Sequence, residues 1–191
     1  MGTDTTGLAE IQGRIGLAAA TVCYRKPPEH PHPAARDDAA AVIESLHRSG
    51  VITEGRWVLA GDSSGGHLAL AACQRLRHTG GPMPAGLLLT APLVDMEFAD
   101  PPTAAAIKAD SISDVTFWWG FKLYANGIPF DDPTLSPINA PLDGLPPVHL
   151  NVAPGICSSS TTSACVMRSN APVSTSPASS SKMPNTPTPL A

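Results

Sequence analysis

The chain is predicted to be an α/β protein, with a mainly parallel sheet covered by helices on both faces. Three observations predict it. Short apolar runs alternate with segments of helical periodicity, the pattern of strands buried on both sides and joined by crossover helices. One strand–helix junction carries the sequence G-x-S-x-G. With 191 residues, 42% of them apolar, the chain has material for one sizeable core.

The elements follow in order. Residues 6–18 place Leu8, Ile11, Ile15 and Ala18 at helical spacing, interrupted by glycines. The apolar run at 18–23 reads as a first strand. Pro27, Pro28, Pro31 and Pro33 then forbid regular structure. Ala34 to Arg48 carries Val42, Ile43 and Leu46 on one face, with Gly50 as the stop. Residues 56–60 form the next strand. His67 to Arg77 is strongly helical and is broken by Gly80-Gly81-Pro82. Residues 86–91 give a third strand, 104–124 a mixed helix rich in aromatics, and 148–152 a fourth strand. These four strands should be parallel neighbours. Residues 1–155 form one domain. Residues 156–191, with ten Ser, five Thr and five Pro but no Asp or Glu, are expected to be a disordered tail.

Composition also excludes function classes. The net charge is −4 and there is no Lys/Arg run, which argues against nucleic acid and anionic membrane surfaces as partners. No apolar stretch approaches the length of a membrane span, and Met1 to Thr6 lacks the basic-then-apolar opening of a secretory signal, so a cytosolic protein is expected. Cys23, Cys73, Cys157 and Cys165 have neither zinc-site nor disulfide-framework spacing, and no metal or other cofactor is implied.

The chemistry is expected at Ser63, in Gly61-Asp62-Ser63-Ser64-Gly65. Gly61 and Gly65 would let the chain pivot sharply from strand into helix, leaving the serine hydroxyl exposed above the sheet. The helix N-terminus then points its N–H groups where an oxyanion would form, and the backbone N–H of Ser64 would be one donor. Other candidates have plainer readings. His67, on the first helical turn, should pack or cap. Glu29-His30, among prolines, should be a rigid loop rather than a dyad. Asp62 should brace the elbow, and Asp95 and Asp143 should serve turns. Phe117, Trp118, Trp119, Phe121 and Tyr124 could line an acyl pocket or pack in the core.

At these motifs the chain resembles the hormone-sensitive-lipase-like branch of the α/β hydrolases. Tyr24-Arg25-Lys26-Pro27-Pro28-Glu29-His30-Pro31-His32-Pro33-Ala34-Ala35 is similar to that family's Tyr-Arg-Leu-Ala-Pro-Glu-His-Pro-Phe-Pro-Ala-Ala stretch. Gly61 to Gly66 is similar to its Gly-Asp-Ser-Ala-Gly-Gly elbow. Ala91 to Asp95, and Ser136-Pro137 followed by Gly144 to Pro147, resemble two further signatures. The resemblance implies a partial α/β-hydrolase fold over about residues 6–155. It also implies hydrolysis of small-molecule carboxylic esters by a Ser–His–acid triad, with Ser63 as nucleophile.

Three departures set further expectations. The family's His-Gly-Gly-Gly oxyanion loop lies upstream of the first helix seen here. No carboxylate follows Gly155, where the family carries its acid, and the last histidine, His149, precedes that position. With one plausible set of G/C-rich codons, residues 156–162 read one base earlier become Asp-Leu-Leu-Leu-Val-Asp-Asp, similar to the acid-bearing segment. The tail is therefore read as a frame slip. The expectation is an esterase by descent whose present chain, lacking a placeable acid, base and His-Gly-Gly-Gly loop, is inactive, the alternatives being a non-catalytic remnant or an acyl-binding scaffold.

Overall fold

The computed structural model describes residues 12–14, 16–97, 114–152 and 173–177. Helix α1 spans Ala34–Arg48, and strand β1 (Val58–Asp62) runs into helix α2 (Ser64–Thr79). Strand β2 (Gly86–Thr90), helix α3 (Asp114–Ala125), a 3-10 turn at Pro137–Asn139, and strands β3 (Val148–Val152) and β4 (Val173–Pro177) complete the described elements. The sheet order is β1-β2-β3-β4 and every pairing is parallel, with Leu59 beside Leu87 and Leu89 beside Leu150.

Local sequence accounts for the helix limits. In α1, Asp37 lies in the first turn and His47 and Arg48 in the last, each complementing the helix dipole. Gly50 takes the left-handed conformation just beyond the end, at φ +75°, and donates to the His47 carbonyl. Gly80 stops α2 in the same way at φ +70°. Helix α2 starts three residues earlier than its apolar pattern, because Ser64, Gly65 and Gly66 already belong to it.

The main core lies between α2 and the sheet. Ala69, Leu70 and Cys73 pack with Leu87, Leu89, Val148 and Leu150, and the 3-10 turn adds Ile138. Burying Leu70, Leu76, Leu87 and Leu89, each 1% exposed or less, stabilises the fold by about 1.5–3 kcal/mol per side chain. A second cluster joins α1 to α2 through Ala40, Ile43 and Leu76. Asp37 of α1 links the same two helices by accepting a bond from Arg75 of α2. Strand β2 alternates, so that Leu87 and Leu89 are buried while Leu88 remains 41% exposed.

Four segments differ from expectation or lie partly outside the described residues. Residues 18–23 form no strand. Among the described residues β1 ends the sheet and its outer edge is not paired with them, and an apolar run without a ladder partner forms no strand. Within the tail, Val173–Pro177 is a strand paired with β3 rather than irregular chain; the remainder of 156–191 lies outside the described residues. The first expected helix is seen only at 12–14, since 6–11 lie outside the described residues and 16–18 have no regular structure. Residues 104–113 of the aromatic helix also lie outside them.

Candidate active site

Ser63 stands between the end of β1 and the start of α2, with φ +51° and ψ −117°. A non-glycine residue in this region is strained, and it is held there by its surroundings. The Ser63 N–H donates to the Thr90 carbonyl at the end of β2 (2.9 Å), and the Ser63 carbonyl accepts from the N–H groups of His67 (3.1 Å) and Leu93 (3.3 Å). The residue is exposed, and among the described residues its hydroxyl has no hydrogen-bond partner. Ser64 is the first residue of α2, so its N–H has no intrahelical acceptor and is available at the mouth of the turn.

The glycines have unequal roles. A Cβ on Gly61 would fall on the Gly65 carbonyl, so the tight turn requires glycine there. A Cβ on Gly65 would meet nothing within 4 Å, so sterics do not demand glycine there. Gly66 is the second sterically required glycine, because a Cβ there would lie 2.7 Å from Pro92 Cβ. The pentapeptide reading stops one residue short of it.

Ser63 and Ser64 open onto a cavity of about 550 Å³ whose walls include Tyr24, Met96, Phe121 and Tyr124, with His67 and Leu68 also lining it. The lining is mostly apolar. Lys26 and Arg25 border it, and the Arg25 guanidinium is paired with Asp38 at 2.7 Å. Met96 is fixed from behind: its N–H donates to the Ser136 hydroxyl (2.8 Å), which itself donates to the Phe130 carbonyl (2.6 Å). Ser136, the serine of the Ser136-Pro137 motif, is fully buried and ties the chain after β2 to the wall of the cavity.

His67 packs, as its position on the first turn of α2 suggests. It is 2% exposed, and burial pushes its pKa down to about 4, so the ring is neutral. Nδ1 lies 3.0 Å from the Leu93 carbonyl, which can only accept, so Nδ1 carries the proton. Nε2 faces the Tyr124 hydroxyl at 3.3 Å. Both nitrogens are occupied in the cavity floor, so neither is available to Ser63 as a base.

The other candidates divide. Asp62 does not brace the elbow. It lies on the exposed side of β1 with Val58 and Ala60, opposite the face that carries Leu59, and among the described residues its carboxylate has no partner. Asp95 serves a turn by accepting the Glu97 N–H, and Asp143 sits in a turn whose carbonyl accepts from Arg77. Glu29 and His30 are exposed in a turn after Lys26. The aromatic helix has both expected uses: Phe121 and Tyr124 line the cavity, Trp118 packs edge-on against Phe121, and Trp119 is exposed. Phe117, Cys157 and Cys165 are outside the described side chains.

Sequence reading missed His32. This ring is 6% exposed, with Nδ1 3.2 Å from the Tyr124 hydroxyl and Nε2 3.1 Å from the Thr134 hydroxyl. Thr134 in turn donates to Asp132 at 2.6 Å. No local signal joins these residues, which come from three separate segments.

Comparisons with known proteins give the chain's family and relatives. The sequence profile of a family described as alpha/beta hydrolase fold matches residues 1–169. An acetyl-hydrolase of Streptomyces hygroscopicus is 37% identical over 139 residues, covering 72% of this chain and 46% of that protein. Carboxylesterase NlhH of Mycobacterium tuberculosis is 32% identical over 167 residues, covering 80% and 51%. The crystal structure of a hormone-sensitive lipase from a metagenome library superposes with a TM-score of 0.73 at 30% identity, covering 80% of this chain and 52% of the other. The chain thus spans about half the length of these relatives.

Proposed function

The chain belongs to the α/β-hydrolase-fold family, in its hormone-sensitive-lipase-like branch, and from that premise we propose that it is built for carboxylic-ester hydrolysis with Ser63 as the nucleophile. The observation that carries this reading is the left-handed Ser63 at the strand–helix junction, exposed beside a largely apolar cavity of about 550 Å³. In the proposed reaction the Ser63 oxygen attacks the ester carbonyl. The resulting oxyanion is met by the Ser64 N–H and the positive end of α2, while the apolar walls take the acyl or alcohol chain. The alcohol then leaves, and water hydrolyses the acyl-serine.

Proton transfer requires a base that the described residues do not bring to Ser63, since His67 is buried, neutral and hydrogen-bonded at both nitrogens. A serine without a base is a weak nucleophile at neutral pH. Losing one triad member costs on the order of 10⁴–10⁶ in rate. That same observation favours a second reading, an acyl-binding protein that uses the cavity without turnover.

Active-site labelling separates the two. The chain and its Ser63→Ala variant are treated with a fluorophosphonate, mapped by mass spectrometry, and assayed with p-nitrophenyl butyrate. Labelling confined to Ser63 and lost in the variant supports the nucleophile. A folded chain that binds the ester but leaves Ser63 unlabelled supports the binding reading.

A further inference from the structure

A continuous row of hydrogen-bonding groups runs from the cavity floor out to the exposed Thr134: the Leu93 carbonyl, His67, the Tyr124 hydroxyl, His32, the Thr134 hydroxyl and the Asp132 carboxylate, at successive separations of 3.0, 3.3, 3.2, 3.1 and 2.6 Å. Each link needs one proton between its two heavy atoms. With neutral rings, His67, Tyr124, His32 and Thr134 supply one proton each, one fewer than the links.

The two ends are fixed. The Leu93 carbonyl can only accept, so His67 donates from Nδ1. The Asp132 carboxylate, held below the usual carboxylate range by its bonds from the Thr134 hydroxyl and N–H, also accepts. The shortage therefore falls on the three middle links. One of them must set two lone pairs face to face, and the fault can sit at His67–Tyr124, Tyr124–His32 or His32–Thr134. A second proton on His32 removes the fault. As an imidazolium it donates to Tyr124 and to Thr134, Tyr124 donates to His67, and every link is filled with Asp132 as counter-charge.

We propose that His32 is a positioning residue of this site: its uptake of one proton completes the row and fixes the Tyr124 hydroxyl toward His67 in the cavity floor. His32 does not line the cavity, whereas Tyr124 and His67 do. Without the extra proton, the Tyr124 hydroxyl points to His67 for two of the three fault positions and to His32 for the third, so its direction is not fixed. The proposal rests on the geometry of the floor and is independent of the chemistry assigned to Ser63.

The charges around His32 oppose one another. Burial and Arg36 of α1 push its pKa down, while Asp37 of α1 and Asp132 of the loop after α3 pull it up. Asp37 is itself paired with Arg36 and with Arg75 of α2. His67 of α2 is neutral, Tyr124 of α3 is held protonated by burial with a pKa of about 12, and Tyr24 bears on Tyr124 alone. Completing the row thus offsets part of the cost of a buried cation.

The experiment is a pH titration of the chain labelled with ¹⁵N-histidine, in which long-range proton–nitrogen correlations report both nitrogens of each ring. His32→Phe assigns the His32 signals. As the pH falls, His32 should gain its second N–H while His67 keeps only Nδ1–H. Asp132→Asn removes the counter-charge and Tyr124→Phe removes the acceptor, and each should lower the proton affinity of His32 by roughly tenfold. Urea melts over the near-neutral range read the same quantity where the acid end unfolds the chain: both variants should show a steeper loss of stability per pH unit than the parent. His67 charging before His32, or an unchanged His32 affinity in either variant, overturns the proposal.

Discussion

The Gly65 carbonyl occupies the space of a side chain on Gly61: it stands where a Cβ on Gly61 would be, because the chain doubles back through Ser63 at φ +51°. Gly65 itself has open space around its Cβ position. Substitutions at the two ends of one motif should therefore have opposite signs. Gly61→Ala should destabilise by about 1–3 kcal/mol as backbone is forced apart, and Gly66→Ala should cost a similar amount against Pro92. Gly65→Ala, inside α2, should be neutral or stabilise by up to about 1 kcal/mol through helix propensity. Denaturant melts of the three variants check this, and equal losses at Gly61 and Gly65 would contradict it.

Stability should fall on acidification through His67. Its folded pKa, about 4, lies below the ordinary histidine value of 6.5, so the unfolded chain binds more protons between those values. Its contribution is fully present above pH 6.5 and is lost as the pH falls toward 4, a loss of about 3 kcal/mol at the acid end. Replacing His67 with Gln, which keeps one donor and one acceptor, should flatten that limb of the stability–pH curve. Melts across the range, parent against variant, measure the difference.

Much of this was legible in the sequence, and the reasons for the rest are physical. Strand β3 lies where its apolar run placed it, and α1 ends at Arg48 with Gly50 just beyond. These features are local, written in periodicity and in glycine. The Ser63 elbow was readable for the same reason. The run at 18–23 misleads because a strand is a relation between two segments, and composition describes only one. Val173–Pro177 misleads in the opposite direction, since a parallel ladder is made by backbone groups and accepts a Ser/Thr/Pro-rich sequence. The row through His32, Tyr124 and Thr134 joins distant segments, and no spacing rule pairs them.

Ser136→Ala should be costly for so small a change. It leaves the Met96 N–H and the Phe130 carbonyl without their buried partner, which costs about 1–3 kcal/mol per orphaned group. Because Met96 lines the cavity, the same variant should weaken binding of a p-nitrophenyl butyrate-sized ester. Calorimetric melts and ligand titration test the two effects separately.

The thiols should differ in reactivity. Cys23 is exposed, whereas Cys73 is buried against the sheet with its pKa pushed up to about 12. Iodoacetamide applied to the native chain at neutral pH should modify Cys23 within the time that leaves Cys73 untouched, and denaturant should open Cys73. Peptide mapping reads both sites, and modification of native Cys73 at the rate of Cys23 would show that the α2–sheet contact opens readily.

Two of the three backbone bonds that hold Ser63 come from Thr90 and Leu93, distant in sequence, and the third from His67 within α2. Helix α2 can begin to wind from its own sequence, but the left-handed turn at its head is unfavourable until β2 has docked beside β1 and the chain has passed Leu93. The turn at Ser63 is thus expected to close only after those two contacts are made. A chain emerging from the ribosome carries the whole G-x-S-x-G sequence long before it carries the elbow, so in a nascent or unfolded molecule the motif is a sequence without its turn.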